Sequence, residues 1–152
     1  MQQIVPNLWF DGNASEAVDY YVSVFADGKI LGGSTYPNST DEGLADFQQE
    51  LAGKALTVDF EIMGTRFTAI NAGPEFKFNE AVSFVVPCKD QDEIDYYWER
   101  LSAVPESEQC GWCKDKYGLS WQIVPENMEE LMQKPDGFKT LVNQHKIVIA
   151  EF

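Results

Sequence analysis

Residues 83–101, SFVVPCKDQDEIDYYWERL, decide the fold together with residues 110–124, CGWCKDKYGLSWQIV. The first stretch predicts a strand and then a helix with an acidic start. The apolar face of that helix follows the i, i+3, i+4, i+7 spacing of Ile94, Tyr97, Trp98 and Leu101. The second stretch predicts a hairpin whose last strand runs over residues 119–124 and ends at a proline. The predicted order is therefore strand, helix and paired strands.

The same pattern occurs earlier in the chain. Residues 7–25, NLWFDGNASEAVDYYVSVF, align with residues 83–101 without a gap, and a D-Y-Y triplet recurs at the same place in the helix. The strand endings also repeat, since residues 64–70 (GTRFTAI) resemble residues 118–123 (GLSWQI). A repeat of this length decides the whole fold. The sequence therefore predicts two strand–helix–strands modules of the same kind.

This repeat sets the predicted domain organisation. We expect one domain, with module one at about residues 1–72 and module two at about residues 80–125. A helical tail of about residues 126–152 follows. At 152 residues, the chain is long enough to bury a core without disulfides or a metal.

Module one has three further predicted features. Asn13 is the predicted N-cap of a helix at about residues 14–25, with a glutamate three residues on. Residues 55–62 alternate cleanly and begin a hairpin. Residues 37–54 show no clean period and predict a long polar loop, a candidate lid. Its expected apolar anchors are Leu44, Phe47 and Leu51.

The charge of the chain excludes two classes of partner. The formal net charge is −14, with 11 Lys+Arg, and phosphate backbones and anionic lipids repel such a chain. We therefore expect neither nucleic acid nor a membrane as a partner. No run of ~18 apolar residues is present, and we expect no signal peptide, because the N-terminus lacks a basic region followed by an apolar one. Three cysteines, an odd number, favour the reducing cytoplasm.

Three further segments carry a family resemblance. FDGNASEAVDYY (residues 10–21), NAGPEFKF (residues 71–78) and CGWCKDKYGLSWQIVP (residues 110–125), together with the repeat, make the chain similar to PhnB-like members of the vicinal-oxygen-chelate superfamily. This superfamily includes glyoxalases, bleomycin-resistance proteins and dioxygenases, and the PhnB-like group carries the label 3-demethylubiquinone-9 3-methyltransferase domain. The resemblance implies an α+β fold of two βαβββ modules whose mixed sheets form a cup. It also implies a homodimer and a small-molecule ligand.

The resemblance further implies where a metal would bind. In metal-dependent relatives, His and Glu ligands come from the first and last strands of each module, here Asn7, Ser83, Thr68 and Gln122. The segment that matches the relatives' D-x-x-G-x-x-x-E ends here in Gln122 rather than glutamate. Neutral amide and hydroxyl oxygens are poor ligands for a transition metal. We therefore expect no metal and no cofactor at these positions.

Hydrogen bonding is the alternative use of these four residues. An apolar cavity with a few convergent polar groups is typical of a small-molecule site. Trp9 shares the Asn7 face by strand alternation, and Phe47, Phe76 and Phe78 are candidate walls or lids. The other interpretation is that the polar residues satisfy one another inside the protein and the aromatic residues belong to the core.

The remaining candidate chemistry is weaker. Cys110 and Cys113 form a C-x-x-C motif, but they precede a hairpin rather than open a helix, so redox activity is not favoured. Cys110 alone could be a pocket thiol, whereas Cys88 is expected in the core. His145 is the one histidine and is expected to be a surface or satisfied residue. Asp59 and Glu61 alternate on a strand, and the pattern does not decide which way they face.

Three functions remain open at this point. The first is a metal-free, homodimeric protein that binds a small molecule. The second is an enzyme of the same superfamily that uses no metal or holds one through other residues, such as Asp59, Glu61 and Cys110. The third is a structural or partner-binding role for the tail from Glu126 onward. Methyl transfer from S-adenosylmethionine is not expected, because no G-x-G turn lies between a strand and a helix.

Overall fold

The computed structural model describes residues 2–152, and the chain divides into two compact units. The first unit ends at Lys77, and the second is Phe78–Phe152. The elements of the first unit are β1 (Asn7–Phe10), α1 (Ala14–Val24), β2 (Lys29–Thr35), β3 (Ala55–Ile62) and β4 (Thr65–Asn71). Those of the second are β5 (Ser83–Cys88), α2 (Gln91–Leu101), β6 (Trp112–Lys114), β7 (Ser120–Pro125), α3 (Met128–Met132) and α4 (Gly137–Val142).

The first unit is a four-stranded mixed sheet with α1 packed on one face. The strand order is β1-β4-β3-β2, with β1 parallel to β4 and the other pairs antiparallel. Aromatic rings fill the space between helix and sheet: Tyr21 stacks on Phe60 at 6.0 Å, and Phe60 on Phe67 at 5.3 Å between ring centroids. The side chains that alternate with these rings lie on the opposite face of the sheet, and the first unit has no second α-helix among its described residues to cover that face.

The start of α1 is stabilised by a residue distant in sequence. Asn13 occupies the N-cap position as predicted, but its side chain makes no capping hydrogen bond. Instead, the backbone N–H of Ala14 donates to Oδ1 of Asn71 at 3.2 Å, and Nδ2 of Asn71 donates to the carbonyl of Ala55 at 3.0 Å. The prediction that Asn13 caps the helix is therefore wrong, and a strand residue of the same unit supplies the cap.

Residues 37–54 have more structure than the predicted loop. Two short 3₁₀ helices form at Thr40–Glu42 and Asp46–Leu51. Leu44 is buried, as expected of an anchor, and Leu51 is half-buried. Phe47 is 87% exposed, so its prediction as an anchor is wrong. The 3₁₀ turn directs its side chain into solvent.

The second unit has a smaller sheet, and its module is one strand shorter than predicted. The strand order is β5-β7-β6, with β5 parallel to β7 and β6 antiparallel to β7. Between α2 and β6, where the first unit has β2, residues 105–107 form a 3₁₀ turn that begins at Pro105. Proline fixes φ and cannot donate to a strand ladder, which disfavours a strand there. The predicted α+β class with two mixed sheets is confirmed, whereas the fourth strand of module two is absent from the described residues.

The tail, which belongs to the second unit, packs on the other elements of that unit. Ile147 is fully buried. The side chain of Gln91, at the start of α2, donates to the carbonyl of Ile147 at 2.9 Å and accepts from the N–H of Ile149 at 2.8 Å. Within the predicted helical tail, the structure has the two short helices α3 and α4. None of the helices in residues 2–152 is long and apolar enough to cross a membrane.

The cap at α1 leads to a stability prediction. We expect Asn71→Ala to lower the free energy of unfolding by about 1–3 kcal/mol, because it leaves the Ala14 N–H and the Ala55 carbonyl without this partner. The matched control is Asn13→Ala, which removes no side-chain cap and should cost less than about 0.5 kcal/mol. Urea denaturation of both variants measures the difference. A larger loss for Asn13→Ala than for Asn71→Ala would contradict this assignment.

Candidate functional site

The parallel strand pairs bring the predicted site residues together within each unit. Asn7 of β1 lies in register with Thr68 of β4. In the second unit, Nε2 of Gln122 donates to the hydroxyl of Ser83 at 2.9 Å. Leu8 beside Asn7 and Ile123 beside Gln122 are buried on the helix side of their sheets. The four predicted residues therefore lie on the helix-free faces, two on each sheet.

The helix-free face of the first sheet carries a row of polar residues. Thr68 lies between Asn7 and Asp59 in the strand register. The Thr68 hydroxyl donates to Oδ1 of Asp59 at 2.6 Å, and the guanidinium of Arg66 binds Oδ2 at 3.1 Å. The side-chain amide of Asn7 donates to the carbonyl of Val5 at 2.9 Å. Asn7, Thr68 and Asp59, with Arg66 beside them, form what we call the polar row.

Sequence reasoning left the direction of Asp59 open and did not single out Arg66. The β3–β4 register places Asp59 and Glu61 on the helix-free face, because Asp59 pairs with Thr68 and Glu61 pairs with Arg66. Paired residues of an antiparallel ladder share a face. The only available signal was the alternation of residues 55–62, which gives two faces without saying which one is buried.

Aromatic side chains lie next to the polar row in the first unit. The indole N–H of Trp9 donates to the carbonyl of Gly73 at 2.8 Å, which fixes the ring on the helix-free face. Phe76 contacts Trp9 edge to face, with centroids 4.8 Å apart, and is 63% exposed. Of the predicted wall residues, Phe76 thus lies at Trp9, Phe47 points into solvent, and Phe78 belongs to the second unit.

The hydrogen bonds within this face leave mainly acceptor atoms available. The amide N–H of Asn7, the hydroxyl hydrogen of Thr68 and the indole N–H of Trp9 are each donated to a protein oxygen. Oδ1 of Asn7, the lone pairs of Thr68 and the carboxylate of Asp59 can still accept. The exceptions are the second amide hydrogen of Asn7 and the guanidinium of Arg66, which has further donors and is half exposed at the hairpin end of the row. The centre of the row therefore suits a ligand group that donates hydrogen bonds.

The helix-free face of the second sheet contains a buried hydroxyl without a partner. Ser120 lies between Ser83 and Lys114 in the register and is 1% exposed. Its Oγ makes no hydrogen bond to any of residues 2–152. The neighbouring Lys114 forms an ion pair with Glu80. A buried hydroxyl that lacks a partner costs about 1–3 kcal/mol and calls for a water or a ligand. Sequence reasoning missed Ser120, although its alternation with Gln122 places both on one face.

A buried carboxylate orders the turn that leads to Gln122. Asp115 is fully buried and accepts from the backbone N–H of Tyr117 at 2.8 Å and of Leu119 at 3.1 Å. It also accepts from the indole N–H of Trp121 at 2.9 Å. A buried carboxylate is tolerated when several donors satisfy it. Asp115 therefore has a positioning role, since it sets the start of β7.

The donor atoms of the site do not fit a divalent metal. In residues 2–152, no group of three or more His, Cys, Asp or Glu side chains is placed to hold a metal ion. The positions at which the resemblance expects ligands present amide and hydroxyl groups, two of them already bonded to each other. Such neutral oxygens are weak ligands for transition metals. No step through a metal is therefore derived for this chain.

The C-x-x-C motif lacks the features of a redox pair. None of the three cysteines forms a disulfide. Burial, together with the carboxylates of Asp115 and Glu108, raises the pKa of the Cys113 thiol to about 12. Burial and the carboxylates of Glu93 and Asp90 raise the pKa of Cys88 to about 12 as well. Redox catalysis requires a stabilised thiolate, which means a lowered thiol pKa. The pKa values of Cys113 and Cys88 are raised instead.

His145 is a surface residue, as predicted. Its side chain is exposed, and Nδ1 lies 2.7 Å from the carbonyl oxygen of Glu108. Because a carbonyl can only accept, Nδ1 carries the hydrogen of this bond. The ring therefore tethers the tail to the segment before β6.

The cysteine environments predict selective alkylation. We expect iodoacetamide at about pH 8 to modify the half-buried Cys110 first, because thiolate and access are both required. Cys88 and Cys113 should react only after unfolding in guanidinium chloride. Peptide mass spectrometry before and after unfolding measures this difference. Cys113→Ser should leave the rate at Cys110 unchanged, and a Cys110–Cys113 disulfide in glutathione buffer would contradict the assignment.

Comparison with known proteins gives the family. Residues 2–124 match the model of the family described as 3-demethylubiquinone-9 3-methyltransferase. A PhnB protein of Bacillus cereus, named for the same activity, is 31% identical. The match covers 81% of this chain and 99% of that one, with a TM-score of 0.62. No curated protein is significantly similar to the chain.

Two further solved structures show the fold alone. A protein of Pseudomonas aeruginosa is 18% identical, with 82% of this chain and 98% of that chain covered and a TM-score of 0.59. A gene product of Arabidopsis thaliana is 17% identical, with 81% and 98% covered and a TM-score of 0.51. The family match covers both predicted modules and agrees with the two mixed sheets. The chain therefore belongs to the 3-demethylubiquinone-9 3-methyltransferase family, the PhnB-like group of the glyoxalase (vicinal-oxygen-chelate) superfamily.

Proposed function

We propose that this protein binds a small organic molecule on the helix-free faces of its sheets and that it does so without a metal. The observation that carries the proposal is the polar row beside Trp9 and Phe76. Thr68 and Asp59 are partly exposed on a face that no helix covers. Aromatic surface with a few ordered polar groups is the usual composition of a small-molecule site.

The atoms still available in the polar row indicate the polarity of the ligand. Asn7, Thr68 and Asp59 offer acceptors, so the ligand presents hydroxyl or amino groups to the centre of the row. A flat or apolar part of the same molecule packs on the Trp9 ring, whose orientation the hydrogen bond to Gly73 holds. The acidity of the chain, with a net charge of −14, also disfavours an anionic ligand.

The second sheet supports the proposal through Ser120. Its buried hydroxyl belongs to the residue that pairs with Ser83 in the strand register. Ser83 already accepts a hydrogen bond from Gln122. A ligand hydroxyl or amide that reached Ser120 would remove the cost of leaving that group unpaired. Gln122 retains its Oε1 and one amide hydrogen for the same purpose. Ser83 and Gln122 are therefore proposed as ligand contacts of the second sheet.

Three further features belong to this proposal. Methyl transfer is not included, because the chain has no glycine cradle for S-adenosylmethionine. A cytoplasmic location is proposed because three cysteines are present and none forms a disulfide. A homodimer is proposed from the family resemblance.

Substitutions in the polar row test the proposal. A thermal-shift screen of hydroxylated and amino-substituted aromatic compounds supplies a ligand, and isothermal titration calorimetry measures its affinity. We expect Thr68→Val to weaken binding at least about tenfold, equivalent to ~1.4 kcal/mol, because it removes the hydroxyl and leaves Asp59 without that donor. Gln122→Ala tests the second sheet separately and should weaken a ligand that binds there at least about tenfold.

The matched control is Thr65→Val, which changes the same residue type at the exposed hairpin end of the same strand. Binding to this variant, and to the parent protein in EDTA, should be unchanged. Unaltered affinity in both Thr68→Val and Gln122→Ala would show that the ligand lies elsewhere. Loss of binding in EDTA would contradict the metal-free part of the proposal.

A further inference from the structure

A cleft of about 580 Å³ opens in the second unit, at the carboxyl ends of two parallel strands. Three segments line it: residues 89–91 after β5, residues 126–127 after β7, and residues 148–150 of the tail. Its volume lies within the ~300–1,000 Å³ of small-molecule sites. It lies at the strand ends and not on the helix-free face, so it is separate from the site proposed above.

Hydrogen bonds hold the walls of the cleft in place. Gln91 binds the tail on both sides of Val148 through the carbonyl of Ile147 and the N–H of Ile149. The carboxylate of Asp90 accepts from the N–H of Glu93 at 2.9 Å and is thereby committed to the start of α2. A cleft whose walls are already bonded loses little conformational freedom when a ligand enters.

Two opposite charges at the mouth of the cleft have no side-chain partner in the part of the chain that the structure describes. The N–H of Glu126 donates to the carbonyl of Cys88 at 2.7 Å, so Glu126 and Lys89 leave neighbouring strands side by side. Among residues 2–152, neither the Lys89 ammonium nor the Glu126 carboxylate forms an ion pair or a side-chain hydrogen bond. The side-chain amide of Asn127 next to them makes no capping bond. Besides the Asp90 carboxylate, which caps α2, the lining therefore presents one cation, one anion and one amide.

The opposite wall of the cleft is apolar. Val148 and Ile149 are half-buried, and Ala150 completes the wall. An apolar body packed there would be removed from water, which stabilises binding by ~25 cal/mol per Å² of apolar surface. The cleft thus combines paired charges on one side with aliphatic surface on the other.

From these features we propose that the cleft binds a zwitterion with a large apolar side chain, of the α-amino acid class. The ligand carboxylate pairs with Lys89, its ammonium pairs with Glu126, and its side chain packs on Val148 and Ile149. A simple amine would leave Lys89 unpaired. A simple carboxylate would lack the ammonium that offsets the acidity of the chain.

Titration with L-phenylalanine, followed by ¹H–¹⁵N correlation spectra of the full chain, tests this proposal. We expect saturable shifts confined to residues 89–91, 126–127 and 148–150, with a Kd of about 1 mM or tighter. Phenethylamine, which lacks the carboxylate, and N-acetyl-L-phenylalanine, which lacks the ammonium, should each bind at least about tenfold more weakly.

Charge-removing variants assign the contacts. Lys89→Gln and Glu126→Gln should each weaken L-phenylalanine at least about tenfold, and both residues are exposed, so the fold is retained. The matched controls are Lys134→Gln and Glu130→Gln, which remove the same charges from exposed positions outside the cleft and should leave Kd unchanged. Absent or unsaturable shifts, shifts centred elsewhere, or equal binding by either analogue or either cleft variant would overturn the proposal. Because these residues are not in the polar row, the result is independent of the function proposed above.

Discussion

The parallel pairing of the first strand with the last strand is the constraint on which each unit depends. A parallel pair needs a crossover connection, and in both units a helix of 11 residues follows the first strand. That helix buries its apolar stripe on one face of the sheet, with Ile94 and Leu101 of α2 as examples. The other face remains without a helix. The same pairing that closes the core therefore sets Asn7 beside Thr68 and brings Gln122 to Ser83.

The two faces of the first sheet differ because the alternation along each strand separates aromatic from polar side chains. Phe60 and Phe67 stack under α1, while their neighbours Asp59 and Thr68 bond to each other on the opposite face. A carboxylate on a strand is stable here because Arg66 and Thr68 both donate to it. On the corresponding face of the second sheet, one polar group lacks a hydrogen bond, since the hydroxyl of Ser120 has no partner in residues 2–152. Polar groups that are ordered by neighbours but still able to bond are the physical basis of the proposed binding site.

The sequence was sufficient to predict features that depend on local pattern. The repeat predicted the first strand, the helix and the last strand of each module, and with the family resemblance it predicted that Asn7, Thr68, Ser83 and Gln122 lie on these strands. Strand alternation placed Trp9 on the Asn7 face, and this agrees with β1, in which Leu8 and Phe10 are buried and Asn7 and Trp9 are not. These predictions succeed because the periodicities of strand and helix follow from backbone geometry alone.

Features that depend on contacts between distant residues could not be predicted in this way. The cap of α1 comes from Asn71, which is 57 residues from Ala14, so no local motif reveals it. Alternation could not orient Asp59, because both of its possible faces fit the pattern and only the pairing with Thr68 decides. Module two lacks the expected fourth strand, and Pro105 disfavours a strand in that segment. The prediction followed the repeat and did not take this proline into account. The cleft at Lys89 and Glu126 requires the tail, whose docking through Gln91 joins positions 58 residues apart.

The central claim is that the helix-free sheet faces bind organic molecules through neutral and acceptor groups rather than through a metal. Native mass spectrometry of the purified protein, before and after incubation with Zn²⁺, Mn²⁺ or Ni²⁺, tests this most directly, because it reports metal, retained small molecule and oligomer together. The account predicts a dimer at its bare mass or with an organic adduct, and no stoichiometric metal. One tightly held divalent ion per chain, lost in Gln122→Ala, would contradict it.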